Sequence, residues 1–260
     1  MPPVTRPAPL PPAPRSRRRV FASPEQFQGN LVSLSPAEVH HLIRVLRLAE
    51  GDEVEVVDGC GRIVTALISR LTAQGILLQL GDELPAHGES PLHLTVGLAL
   101  VRADAFDLLV RQLTEMGVQR LIPFYAQRSL ARPETWQPQK LARWQRLAQD
   151  ALKSSERAYL PNISPPVAFP EVLEGREEVK ILCWEDLRHG EGRASLTPDL
   201  QPRSVRLLIG PEGGFTQEEV AAAQAAGFLP MGLGPRRLRV ETAAMAAVSL
   251  VQYLWGDMRP

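Results

Sequence analysis

The chain has 260 residues, with 29 basic and 29 acidic side chains, so it has no overall positive charge of the kind that would bind nucleic acid over its whole surface. Its 44% hydrophobic content supplies a core for one large or two modest domains. Cys60 and Cys183 match no metal spacing and read as reduced thiols of a cytoplasmic protein. His40, His41, His87, His93 and His189 form no H-x-x-x-H pair, so no metal is expected.

Residues 1–19 are rich in proline and carry Arg15, Arg17, Arg18 and Arg19, a composition that predicts a disordered tail. No apolar run follows these charges, which argues against a secretory signal. The segment reads either as a dispensable tail or as a basic arm for nucleic-acid phosphate.

From Val20 to Leu84 the pattern is one of short strands. Ser35-Pro36-Ala37-Glu38 is a capping box with proline at the first helical position. Val39, Leu42, Ile43 and Leu46 then give a helix one apolar face, while His40, Arg44 and Arg47 fall on the other. Strands are expected at Glu53–Val57 and Arg62–Ser69, joined by the turn Asp58-Gly59-Cys60-Gly61, and a third at Ile76–Leu80. A small β-barrel with one helix fits. Arg44 and Arg47 are either a solvated face or phosphate contacts.

Residues 85–92 have the composition of a linker. After them the rhythm becomes strand–helix–strand, which predicts an α/β domain with a parallel sheet over residues 93–260. Strands are expected at Leu94–Leu100 and Gln119–Phe124, separated by a helix from Asp104 to Met116 with Gly117 at its end. A long helix, Gln137–Tyr159, turns Trp144, Leu147, Ala151 and Leu152 inward. Lys140, Arg143, Arg146, Lys153 and Arg157 give it a basic outer aspect, suited either to solubility or to nucleic acid. Val179–Trp184 is a further strand, ending at Glu185.

The final third carries the strongest punctuation. An apolar run, Val205–Ile209, stops at Gly210-Pro211-Glu212-Gly213-Gly214. Thr216 and Glu219 form a second capping box, opening a helix that ends near Gly227. Another apolar run leads to Leu233-Gly234-Pro235, then Arg236, Arg237 and Arg239, and an alanine-rich helix starting near Glu241-Thr242. That helix is too short to span a bilayer and is expected to be buried, in its own core or against a second subunit. Two strand ends thus deliver two glycine loops with helix N-termini nearby, the backbone a small-ligand pocket needs. The P-loop pattern fails because no lysine follows Gly213-Gly214, and the dinucleotide fingerprint G-x-G-x-x-G is absent.

IGPEGGFT followed by LGPRRLRVETAA resembles the paired signature of the RsmE family. These are SPOUT-class methyltransferases that modify N3 of a uridine in 16S ribosomal RNA. HHLIRVLRLAEGDEVEVVDGCGR resembles the family's N-terminal PUA-like RNA-binding domain. DLLVRQLTEMGVQRLIPFYAQRSL resembles the segment around its T-E-L-G-V motif, with Met116 for leucine. SSERAYLPNISPP matches its R-x-x-x-P-x-I region at Arg157, Pro161 and Ile163. Two departures stand out. Arg102 and Arg111-Gln112 replace family lysines, and Lys153-Ser154 replaces a Glu-Gln pair, so no role carries over at those positions.

The resemblance implies a PUA-like domain over 20–84 and a SPOUT domain over 93–260 with a trefoil knot, in a homodimer whose active site lies near the subunit junction. It implies S-adenosyl-L-methionine as cofactor, surrounded by Gly210, Glu212, Gly213, Gly214, Leu233, Gly234, Leu238 and Thr242, with Trp184 and Glu185 closing one side. Uracil N3 carries a proton that must leave, for which Glu212 and Glu241 are candidate acceptors, and Arg128, Arg236 and Arg239 candidate anion stabilisers. Arg17, Arg18, Arg19, Arg44, Arg47, Arg143 and Arg157 are the candidate contacts to 16S rRNA or the assembled small subunit. Three rivals remain: a catalytically silent RNA-binding protein, a nucleotide-dependent enzyme, and the same fold acting on another RNA atom such as a ribose 2′-O.

Overall fold

The structure is a computed structural model in which residues 18–34, 39, 48–72, 75–185 and 197–259 are described. Arg17, Arg44 and Arg47, and most of the helix expected after Ser35, lie outside the described residues. The chain divides into two compact units: residues up to Val57 with Ile63–Leu84, and Asp58–Arg62 with Pro85 onward.

The first unit is one six-stranded mixed sheet in the order β1-β4-β5-β6-β3-β2. Its strands are β1 (Arg19–Phe21), β2 (Phe27–Gln28), β3 (Leu31–Leu34), β4 (Glu53–Val57), β5 (Ile63–Thr72) and β6 (Gly75–Leu84). Alternation puts Val54 and Val56 of β4, Val64, Ala66 and Ile68 of β5, and Ile76, Leu78 and Leu80 of β6 in a common core. The expected strands are all present. β5 and β6 run longer than expected because they pair almost end to end, from Ile63↔Leu84 to Thr72↔Gly75. β1 was not anticipated; it pairs in parallel with β4.

The second unit is built on a parallel sheet, β10-β8-β7-β12-β11-β13, with β9 beside β8. Its strands are β7 (His93–Ala99), β8 (Arg120–Tyr125), β9 (Asn162–Ile163), β10 (Val167–Ala168), β11 (Val179–Cys183), β12 (Ser204–Ile209) and β13 (Leu229–Met231). Helices α1 (Ala103–Glu115), α2 (Pro138–Ser154) and α5 (Val240–Trp255) carry the apolar side chains of the main core, with Leu94, Val96 and Leu98 of β7. The opposite face, with Ile122, Leu182 and Leu208, is covered from α3 (Phe169–Leu173) and α4 (Gln217–Ala225). Both faces are therefore buried, which is why these strands read as continuous apolar runs rather than alternating ones.

Several expectations need correction. Helix α2 stops at Ser154, not Tyr159, because Glu156 takes φ 61° and the amides of Ala158 and Tyr159 turn to Glu89 at 2.8 and 3.0 Å. Arg157 is 1% exposed, with Nη2 on Glu89 at 2.8 Å and Nη1 donating to the Thr114 and Val118 carbonyls, so it is not an RNA contact. Arg19 is likewise buried, its Nε on Glu55 at 2.9 Å. Arg143 is exposed but committed to Asp107 of α1, whose proximity raises its pKa. Arg18 is exposed at the start of β1. In the stretch expected as a linker, Glu89 holds Arg157, Ser90 donates to Gln252 at 2.8 Å and Leu92 joins the core.

Candidate active site

All strands of the second sheet are parallel, so their carboxyl ends and following loops gather at one edge, the usual place for a ligand in an open α/β sheet. A cavity of about 600 Å³ lies there, within the roughly 300–1,000 Å³ usual for small-molecule sites.

The loop after β12 forms one wall. Gly214 donates to the Pro211 carbonyl at 2.9 Å and sits at φ 69°, a conformation that favours glycine. A Cβ there would overlap the Glu185 carboxylate. Gly210 lies close to the ring of Phe215, with 2.9 Å between its imagined Cβ and the ring edge. Phe215 is buried and stacks on Phe124 of β8, which anchors the loop in the second core. Thr216 then caps α4 as expected: its hydroxyl accepts from the Glu219 amide at 3.2 Å, and Glu219 accepts from the Thr216 amide at 2.9 Å. The other oxygen of Glu219 accepts the Gln127 amide at 2.8 Å. One buried carboxylate therefore joins the loops after β8 and β12.

The loop after β13 forms the opposite wall through Leu233, Gly234, Leu238 and Arg239, running into α5. Trp184 and Glu185 follow β11, and the Trp184 amide donates to Met231 at 3.0 Å, tying that strand end to β13. Glu212 reaches across to the start of α1, accepting the Arg102 amide at 3.4 Å. The ionisable lining comprises Arg102, Arg236, Arg237 and Arg239 against Glu185, Glu212 and Glu241. Cys183 also lines the cavity, and burial pushes its thiol up to about 12, so it is protonated and unreactive at neutral pH.

Of the cofactor candidates, Trp184, Glu185, Gly210, Glu212, Gly213, Gly214, Leu233, Gly234 and Leu238 come together around this cavity, as do Arg239 and Glu241. Thr242 does not: α5 begins at Val240, two residues before it, and leaves Thr242 exposed and outside the lining. Arg128 is also outside the lining. Its Nη1 donates to the Gly213 carbonyl at 2.9 Å and the Phe215 carbonyl at 3.4 Å, so it braces the glycine loop from behind. Sequence reasoning missed Val101, Ala105, Leu130 and Cys183 as lining residues. Their shared signal was position just beyond or at strand carboxyl ends, except Ala105, which is brought in by the first turn of α1.

Among the described residues no group of three or more His, Cys, Asp or Glu side chains could hold a metal, and no helix is long and apolar enough to cross a membrane.

The family model for an RNA methyltransferase domain matches residues 88–252, and that for an RNA methyltransferase PUA domain matches residues 34–81. Ribosomal RNA small subunit methyltransferase E of Synechocystis sp. is 36% identical over 91% of this chain and 77% of its own. The protein of the same name from Aquifex aeolicus is 31% identical over 89% and 98%. The crystal structure of the Neisseria gonorrhoeae ribosomal RNA small subunit methyltransferase E, bound to S-adenosyl methionine, superposes with a TM-score of 0.79 at 29% identity, covering 93% of this chain and 99% of that one. On these matches and on a fold that shares them end to end, the chain belongs to the ribosomal RNA small subunit methyltransferase E family of RNA methyltransferases.

Proposed function

We propose that this protein transfers a methyl group from S-adenosyl-L-methionine to N3 of a uridine in 16S ribosomal RNA. The observation that carries the reading is the meeting of both glycine loops on one cavity of about 600 Å³. A Cβ at Gly210 would meet the Phe215 ring and one at Gly214 the Glu185 carboxylate, so the loop keeps its course only with glycine at both positions, and the lining includes apolar Ile209, Cys183 and Val101. Such a lining fits a nucleoside with a short charged tail. The Neisseria gonorrhoeae relative carries S-adenosyl methionine on the same fold, which supports the assignment.

When bound, S-adenosyl-L-methionine supplies an electrophilic methyl on a sulfonium. The protein must then orient uracil N3 towards that methyl, keep water out and accept the N3 proton. In this reading Glu212 and Glu241, which line the cavity, are the candidates to take it, and Arg236 and Arg239, on the same lining, to stabilise the resulting anion. Arg128 acts on the reaction through the Gly213 loop, which it holds in shape. Trp184, Glu185, Leu233, Gly234 and Leu238 complete the donor site.

In the same reading residues 20–84 are the PUA-like RNA-binding module and residues 93–260 the SPOUT domain. A trefoil knot belongs to the same reading, and the packing of α5 against α1 and β12 is compatible with it. So does a homodimer, for which the exposed Leu250 and Tyr253 of α5 offer an apolar contact. The substrate places the protein in the cytoplasm.

The test uses the full chain, S-adenosyl-L-methionine and small subunits from a strain lacking the mark, followed by mass spectrometry of the RNA nucleosides. One 3-methyluridine per subunit is expected. Intact donor binding with no 3-methyluridine would overturn the substrate assignment.

A further inference from the structure

Leu130 is 72% exposed, more than any other large apolar side chain among the described residues, yet it lines the cavity. Isolated surface leucines are ordinary. This one differs in being held rigidly at a polar rim. The turn before it is closed by the Ser129 amide on the Ala126 carbonyl at 3.0 Å and by the Ala126 amide on the Ser129 hydroxyl at 3.2 Å, with Ser129 itself 2% exposed. The flanking Gln127 amide is fixed to Glu219 at 2.8 Å, and Arg128 to Gly213 at 2.9 Å. Four hydrogen bonds thus pin a loop whose outermost side chain is an unshielded leucine.

A nucleobase that reacts on its Watson–Crick edge has to leave its stack, which sacrifices stacking on both faces. Apolar side chains inserted at the vacated step, or laid against the extruded base, replace part of that contact. We propose that Leu130 is the substrate-contacting wedge of this enzyme: it packs against the extruded pyrimidine or the gap it leaves in the RNA. Arg102, on the same cavity, supplies positive charge for the flanking phosphates. The proposal rests on the methyl-transfer reading for the identity of the base, but not for the contact itself.

The experiment compares full-length wild type with Leu130→Ser, Leu130→Met and Leu130→Phe. One arm measures methylation of small subunits and donor affinity by calorimetry. The other follows 2-aminopurine fluorescence in a 16S RNA fragment carrying the probe beside the target uridine, because the probe brightens when its neighbour unstacks. For L130S the expected result is a roughly tenfold or greater loss in kcat/KM for RNA, as the loss of an apolar wedge at an unstacked step implies. Donor affinity should stay within about twofold, and RNA should bind without the brightening seen in wild type. L130M and L130F should restore both signals.

A parallel loss of donor affinity in L130S would place Leu130 against the cofactor and overturn the proposal, as would a change in sedimentation showing that it seals a subunit contact. So would full brightening in L130S, or none in wild type. If wild type brightens the probe yet makes no 3-methyluridine, the wedge stands and the substrate assignment fails.

Discussion

The two ends of the parallel sheet use arginine in opposite ways. Towards the amino ends, Arg206 of β12 is buried, donating from Nη1 to the Val172 and Glu174 carbonyls and from Nη2 to Glu177 at 2.9 Å. Arg157 does the same at the end of α1, with the Thr114 carbonyl and Glu89. Towards the carboxyl ends, Arg102, Arg236 and Arg239 border an open cavity. The difference follows from helix direction. Each helix runs back along the sheet, so its C-terminal carbonyls arrive at the strands' amino ends and recruit buried cations. The other edge receives helix N-termini and glycine loops, whose backbone already offers donors, and its arginines stay at the cavity rim.

The largest effect expected from breaking this contrast is on stability. Arg157→Ala and Arg206→Ala should each cost about 3–5 kcal/mol in urea unfolding, since each leaves a partly buried glutamate without its cation and two carbonyls without a donor. Arg236→Ala, on the exposed rim, should change stability by less than about 0.5 kcal/mol while lowering RNA methylation. Equal costs at the two ends would remove the distinction.

A pair of glycines sharpens it next. Gly214 and Gly227 both have positive φ, at 69° and 86°, but a Cβ at Gly227 meets nothing within 4 Å, whereas at Gly214 it meets Glu185. Both alanine variants should lose about 1 kcal/mol of stability from the backbone conformation. Only Gly214→Ala should also lose S-adenosyl-L-methionine affinity, roughly tenfold or more for 1–3 kcal/mol of loop strain, measured by calorimetry.

Thr216→Ala removes the cap of α4 and should cost about 1 kcal/mol by thermal unfolding, with a smaller effect on catalysis.

The smallest effect is a pH signature at the amino ends. Burial pushes the Glu177 carboxyl up, but hydrogen bonding and the charge of Arg206 outweigh it and hold it below its usual 4.5. A folded pKa below the unfolded one means a contribution fully present above about pH 4.5 that fades as pH falls through the folded value. The stability gap between wild type and Glu177→Gln should therefore be constant from pH 5 to 8 and shrink only in acid. A gap that widens in acid would contradict the assignment.

Much of the site was legible because glycine, proline and cap residues are local signals. The turn at Gly210–Gly214, the Thr216 cap and the strand before them depend on neighbours in sequence, and they fall within a residue or two of expectation. What was not legible depends on partners far along the chain. Arg157 and Arg19 read as outward-facing cations because Glu89 and Glu55 lie 68 and 36 residues away. Arg206 hid within an apolar run because the carbonyls that satisfy it belong to α3, a five-residue helix with no periodicity to announce it. Thr242 was misplaced by a helix start two residues early, a shift that swings a side chain by more than half a turn. Leu130 announced only its place beyond a strand's carboxyl end, since its meaning comes from the cavity beside it.

Glu219 has one last implication. Because its two oxygens are divided between the Gln127 and Thr216 amides, neither loop can loosen without releasing the other. The loops after β8 and β12 then open as a unit, and these two amides should exchange with solvent at one common rate. A half-formed donor site has no stable place in this protein.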